Sequence, residues 1–347
     1  MKTITLLHSA LSLHTLFLAK VLITQLINKG DFHFGDDSQM IKKPTGWQVG
    51  FILAVGVLMT STSAIFIRLS LAIADHSGIA FSLFLAAARL MVTAILLIPS
   101  WRNFKAKTYS PQAYYYAIAA GICLAFHFAT WISSLSFTSI AAATTLVTTN
   151  PIWVALLCWI WWGEKPPRWV IIGIIIALLG GVLIAFGDSN ASQNHSNPLL
   201  GDALALLGSI LASLYLLFGR EAQKQGLGIG QYILIAYTAA ALCLFPLPLF
   251  SPQGYWDYPP LVYLYIVLMA IFPQMIGHTS INWSINWISP TIVTLAILFE
   301  PLGSSFLGWL IFQEIPSVTV LGGGLILLLG VAIAAIGDKK PKKTDLT

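Results

Sequence analysis

The sequence predicts an all-α integral membrane protein with ten transmembrane helices arranged as two inverted five-helix repeats. Three observations carry that expectation. Charged residues make up only 9% of the chain and apolar residues 57%, against about 25% charged in an ordinary soluble domain. Ten apolar runs are long enough to cross a bilayer. The two halves of the chain fall into register when one is slid over the other.

A soluble fold of 347 residues with so few charges would expose apolar area far beyond what a soluble monomer tolerates. The cysteines, Cys123, Cys158 and Cys243, lie inside apolar runs with no disulfide or metal spacing, so they read as small packing residues. No metal or cofactor motif is present. The net charge of +5 is distributed as membrane topology requires, and no nucleic-acid partner is expected.

A crossing helix needs about 20 apolar residues. Such runs cover residues 48–71, 80–100, 114–135, 141–162 and 169–187, then 200–220, 229–250, 260–285, 290–312 and 318–337. The organisation that follows is an N-terminal extension (1–46), a first five-helix repeat (47–188), a polar linker (189–199), a second repeat (200–338) and a basic tail (339–347). The extension contains ITLLHSALSLHTLFLAKVLITQLI, interrupted by His8, His14 and Lys20. An interfacial helix, an upstream extension ahead of a start at Met40, and an eleventh crossing are all compatible with it. No small-residue cleavage site follows, which argues against a signal peptide.

Lysine and arginine fix the expected orientation. Lys42, Lys43, Arg102, Lys105, Lys107, Lys165, Arg168, Arg220, Lys224 and the lysines at 339, 340, 342 and 343 fall on one set of loop ends. The alternate loops carry Asp188, Asp202, Asp257 and Glu314. Arg68 alone is discordant. Both termini are expected in the cytoplasm, with the chain in a bacterial inner (plasma) membrane. Trp47, Trp101, Trp161, Trp162 and Trp169 form an aromatic belt on that side.

At an offset of 150, Pro151 falls on Pro301, Trp159 on Trp309, Glu164 on Glu314 and Pro166 on Pro316. Gly173, Gly180 and Gly187-Asp188 fall on Gly323, Gly330 and Gly337-Asp338. Between 141–188 and 291–338, fifteen of forty-eight positions are identical. An odd number of crossings per half turns equivalent positions to opposite faces, which is an inverted-topology repeat. Exchanging the conformations of two such halves turns an inward-open state into an outward-open one. The glycines recur every seven residues on one helix face, as close helix packing demands, and they suggest a homodimer contact through runs five and ten.

TNPIWVALLCWIWWGEKP at 149–166 with GIIIALLGGVLIAFGD at 173–188 resembles the EamA-type repeat of the drug/metabolite transporter superfamily. EPLGSSFLGWLIFQEIP at 300–316 with GGLILLLGVAIAAIGD at 323–338 is similar to its second copy. AAARL at 86–90 is similar to the arginine-bearing second helix of many members. The resemblance covers about residues 47–338, with departures in the N-terminal extension and at Gln313, where the first copy has Gly163. It implies a ten-helix exporter or exchanger of small metabolites, with runs five and ten peripheral to a central cavity.

Ionisable groups near the bilayer centre are costly and normally face a wet cavity or a partner. Arg89 in run two and Glu300 in run nine are so placed, as are His127 and His278 in runs three and eight. Glu300 precedes Pro301 and its repeat mate Asn150 precedes Pro151. A mid-helix proline frees the carbonyl four residues back, here Val147 and Ile297, and kinks the helix. Paired interruptions at the midplane point to a binding site. Asn150 and Glu300 are therefore expected to flank substrate, with Glu300 a proton carrier; the plainer alternative is a carboxylate held by Arg89. Arg89 suits an anionic group of a substrate or a structural pair with Glu300. Trp131, Tyr215, Asn282 and Asn286 are candidate cavity lining or interhelical packing. Glu164 and Glu314 are read as structural or gating groups in tight turns, and sequons stand at Asn190 and Asn194.

The expected activity is secondary active export of small polar or zwitterionic metabolites such as amino acids, by alternating access. Exchange of sugar phosphates or nucleotide sugars is the alternative within transport. A non-transporting membrane partner or an intramembrane lipid-modifying enzyme is the alternative outside it. No Walker A, HExxH or GxSxG motif occurs, which leaves ATP-driven and hydrolytic chemistry without their usual signatures.

Overall fold

The computed structural model describes residues 44–74, 78–101, 104, 109–138, 140–189, 197–312 and 318–337. Residues 1–43 of the N-terminal extension, most of the linker with both sequons, Glu314 and the basic tail lie outside the described residues.

Helices dominate because lipid offers the backbone no hydrogen-bond partners, so each crossing segment must satisfy its own. In chain order they are α1 (Gly46–Ala74), α2 (Ile79–Trp101), α3 (Pro111–Ser134), α4 (Ile140–Val147), α5 (Asn150–Trp162) and α6 (Arg168–Ser189). The second half has α7 (Pro198–Lys224), α8 (Ile229–Leu244), α9 (Pro260–Met269), α10 (Thr279–Ser284), α11 (Pro290–Ile297), α12 (Glu300–Phe312) and α13 (Val318–Gly337). A 3-10 turn, Leu247–Phe250, follows α8, and a π-helical stretch, Ala270–His278, joins α9 to α10. Among the described residues, seven helical segments are long and apolar enough to cross a membrane. Asn150–Trp162, Arg168–Leu183 and Leu321–Ala334 are shorter apolar helices.

The boundaries have local causes. Ser110 Oγ accepts from Ala113 N at 3.2 Å ahead of Pro111. Asn197 Oδ1 accepts from Leu200 N at 3.2 Å ahead of Pro198. Both are side-chain N-caps followed by proline, whose missing N–H costs nothing in the first turn. α5 ends where Gly163 adopts φ +67° and donates to Trp159 O at 3.0 Å, a left-handed stop that suits glycine.

Pro151 and Pro301 do more than kink their runs. The chain leaves the helix at Thr148–Thr149 and at Leu298–Phe299, and a new helix begins at Asn150 and at Glu300. At the breaks, Thr149 N bonds to Leu146 O at 3.2 Å and Phe299 N to Ala296 O at 3.0 Å. These tightened turns close the last turn of each preceding helix just ahead of the prolines. Asn150 and Glu300 thus open half-helices, and a carboxylate there sits at the favourable end of the helix dipole.

The glycine faces of α6 and α13 meet each other within one chain. A Cβ on Gly180 would lie 2.6 Å from Gly323 O and 2.8 Å from Leu327 Cα. A Cβ on Gly173 would lie 2.6 Å from Gly330 O. In this conformation these glycines are covered by the partner helix of the same chain. The opposite faces carry Ile175, Leu179, Leu325 and Leu329, all exposed, as lipid contact requires.

Gly180→Val forces α6 and α13 apart and is expected to cost about 1–3 kcal/mol, the range for overpacking. Gly322→Val, at a glycine with nothing within 4 Å of the added Cβ, is the control. Thermal unfolding in detergent reads the difference; equal melting temperatures would refute the packing assignment.

Candidate functional site

A cavity of about 50 Å³ lies between the two halves. The helix breaks position it. Val147, Thr148 and Asn150 from the first break line it, as do Ile297 and Glu300 from the second. α1 adds Thr60 and Ser63, and α3 adds His127, Phe128 and Trp131. α7 supplies Ala212, Tyr215 and Leu216, while His278 and Ile281 come from the π-helical stretch and α10.

The sequence-predicted residues separate into two groups. His127, Trp131, Asn150, Tyr215, His278 and Glu300 share this cavity. Arg89 and Asn282 do not line it; each stands one layer behind. Asn282 Nδ2 donates to Tyr215 Oη at 2.6 Å and to His278 O at 2.7 Å, so it orients two residues that do. Asn286 lies further along the same ladder, donating to Gln223 Oε1 at 2.6 Å. Gln223 Nε2 in turn donates to Gly219 O and Asn282 O, both at 3.1 Å.

Arg89 is fully buried. Its Nη1 donates to Ser63 Oγ and its Nη2 to Gln274 Oε1, both at 3.0 Å. Its guanidinium carbon sits 4.1 Å from the centre of the Phe128 ring. Neutral acceptors and an aromatic face therefore hold this cation, and its terminal nitrogens go to Ser63 and Gln274, not to Glu300. A desolvated cation–π contact adds about 2 kcal/mol to such an arrangement. Phe128 stands between the charge and the cavity, and its ring also meets the His127 ring at 4.9 Å and the His278 ring, edge-on, at 5.4 Å.

His127 Nδ1 lies 2.9 Å from Gly208 O. A carbonyl only accepts, so Nδ1 carries the hydrogen and Nε2 is left with a lone pair in the neutral ring. The ring lies parallel to Trp131, within 4° and 6.1 Å between centres. Trp131 Nε1 and Asn150 Oδ1 are buried and have no hydrogen-bond partner. A donor and an acceptor left open in one cavity are what a polar ligand or water would satisfy.

Sequence reasoning missed Ser63 and Gln274, the partners of Arg89, and Thr60, Thr148 and Phe128 in the lining. Gln274 had a signal: it follows Pro273 inside an apolar run, and π-helical distortions gather at functional sites. The serine and threonines carried none, since small hydroxyl residues are common in membrane helices.

The sequence pattern of the EamA-like transporter family matches residues 47–186 and again residues 199–336. The chain belongs to that family. An uncharacterized transporter of Archaeoglobus fulgidus is 24% identical over 289 residues, covering 81% of this chain and 94% of the relative. The uncharacterized transporter YdfC of Bacillus subtilis is 26% identical, covering 60% of this chain and 67% of its own. Solute carrier family 35 member G1 of Mus musculus is 23% identical over 57% of this chain and 55% of its own length. A solved structure described only as a protein superposes with TM-score 0.67 at 17% identity, covering 84% of this chain and 98% of that one, a likeness of fold. This EamA-family chain is a membrane transporter of the drug/metabolite superfamily, not an enzyme.

Arg89→Ala should destabilise the protein by about 1–3 kcal/mol, because it leaves buried polar partners unanswered. The charge exchange Arg89→Glu with Glu300→Arg should not recover stability, since each new charge meets the wrong partners. Recovery of the wild-type melting temperature in the double variant would instead establish an ion pair.

Proposed function

We propose that this EamA-family protein is a secondary active transporter that exports a small polar or zwitterionic metabolite, such as an amino acid, by alternating access. The observation that carries the proposal is the meeting of both helix breaks at one cavity, with Asn150 from one half and Glu300 from the other on its wall. Discontinuous helices around a midplane cavity are how transporters expose backbone and polar groups to a substrate without exposing them to lipid.

Ten crossings fit this reading. α6 and α13 have 22 and 20 residues, roughly 30 Å of helix each, enough for the hydrocarbon core. The pair α4 and α5 corresponds through the repeat to α11 and α12, which together span residues 290–311 as one membrane segment. Ten crossings with the lysine and arginine distribution of the sequence put both termini in the cytoplasm, in a bacterial inner membrane.

Coupling is assigned to a proton on Glu300. Thr60 stands beside the Glu300 carboxyl, and its hydroxyl already donates to Val57 O at 2.9 Å. Asn150 Oδ1 and Trp131 Nε1 supply an acceptor and a donor for the cargo.

Phosphorylated sugars or nucleotide sugars would call for cations on the cavity wall. Arg89 is screened by Phe128 and bound elsewhere, so the zwitterionic cargo is favoured.

Counterflow in proteoliposomes with a labelled amino-acid mixture tests the proposal. Wild-type flux should rise with an imposed proton gradient, and Glu300→Gln should abolish that flux while leaving expression and melting temperature near wild type. Full gradient-driven flux through the variant would remove Glu300 from the mechanism.

A further inference from the structure

A second, wider depression opens at the end of the bundle where the cations collect. It has a volume of about 820 Å³ and opens to solvent. Lys165 lies on its wall from the α5–α6 turn, Arg220 and Lys224 from the last turns of α7, and Trp287 from the α10–α11 loop. Glu164 is the acidic side chain on the same wall. Lys224 is ion-paired with Glu221 at 2.7 Å, so Lys165 and Arg220 face Glu164 and leave the wall positive by one charge.

The pairing within it is incomplete. Arg220 Nη2 approaches Glu164 Oε1 at only 3.7 Å, long for a charge-assisted hydrogen bond. Arg220 Nη1 is buried with no partner, and so is Trp287 Nε1. The Arg220 guanidinium and Lys224 ammonium stand 5.9 and 5.7 Å from the Trp162 ring centre, which restricts where both can move. Unanswered buried donors are costly, and a cationic donor with an indole N–H on one wall calls for an acceptor carrying negative charge. α11 begins at Pro290 on the same wall, and the positive end of its dipole adds to the field.

We propose that this depression is a binding site for a phosphate-type oxyanion, held by Arg220 and Trp287 with Lys165 and Lys224 at its rim. The oxyanion is separate from the cargo of the central cavity. Its ligands come from both repeats, Lys165 from the first and Arg220, Lys224 and Trp287 from the second, so occupancy ties the halves together at this end. Two sources share the chemistry: the headgroup of an anionic phospholipid and free phosphate.

Purified wild type, Arg220→Gln and Trp287→Phe are melted in neutral detergent against inorganic phosphate, with ionic strength held constant by chloride. Wild type should show a saturable rise in melting temperature. Half-saturation should weaken about tenfold in Arg220→Gln, the loss expected for a charged hydrogen bond. Trp287→Phe keeps an aromatic ring and removes the N–H; it should weaken less, and it carries the test should Arg220→Gln fail to fold. The series is then repeated in phosphatidylcholine nanodiscs with and without phosphatidylglycerol. A headgroup ligand raises the melting temperature in the phosphatidylglycerol discs and abolishes the phosphate response there; free phosphate keeps its response in both. A flat response to phosphate and to phosphatidylglycerol overturns the proposal, and so does a response unchanged in the variants that fold.

Discussion

The hydrocarbon interior supplies no hydrogen bonds, and this chain places two prolines where continuous helices would cross it. Pro151 and Pro301 cannot donate to Val147 O and Ile297 O, and an orphaned backbone group in lipid costs several kcal/mol. The breaks they create must therefore turn toward protein or water. Both do, and they turn to the same place: Val147, Thr148, Asn150, Ile297 and Glu300 line one cavity. The position of the cavity follows from the backbone constraint before any side-chain chemistry is considered.

Burial then sorts the charges. Arg89 is enclosed completely, with its terminal nitrogens on Ser63 and Gln274 and its plane against the face of Phe128. Glu300 reaches the cavity itself. The interior thus carries a fixed cation behind an aromatic screen and an acid on the wet side of it. Lone buried charges are rarely retained for stability alone. Here the arrangement leaves the acid accessible to a proton or a cargo while the cation is held as part of the packing. The cations Lys165, Arg220 and Lys224 line one depression at one end.

Much of this was legible in the sequence because the repeat aligns residues with strong conformational demands. Prolines at 151 and 301 and glycines at 173, 180, 323 and 330 mark breaks and close approaches whatever their neighbours are. Composition alone placed Arg89, His127, His278 and Glu300 away from water. What the sequence did not reveal depends on direction around a helix. Arg89 and Glu300 read equally well as partners until Gln274 and Ser63 were found holding the guanidinium. Asn282 read as lining, yet it supports Tyr215 from behind. The glycine spacing gives the shape of a surface and not which helix covers it. The π-helical stretch at Ala270–His278 had only Pro273 as a trace.

The most direct test of a transport site at the two breaks is accessibility of the cavity from each face of the membrane. Ala212 lines the cavity and is small enough to become cysteine, with Cys123, Cys158 and Cys243 replaced by serine or alanine in a variant that keeps transport. A membrane-impermeant thiol reagent is applied to right-side-out and inside-out vesicles, with and without a proton gradient. The account predicts labelling from both faces, with the gradient shifting the balance between them. Labelling from one face alone under every condition would contradict alternating access through this cavity.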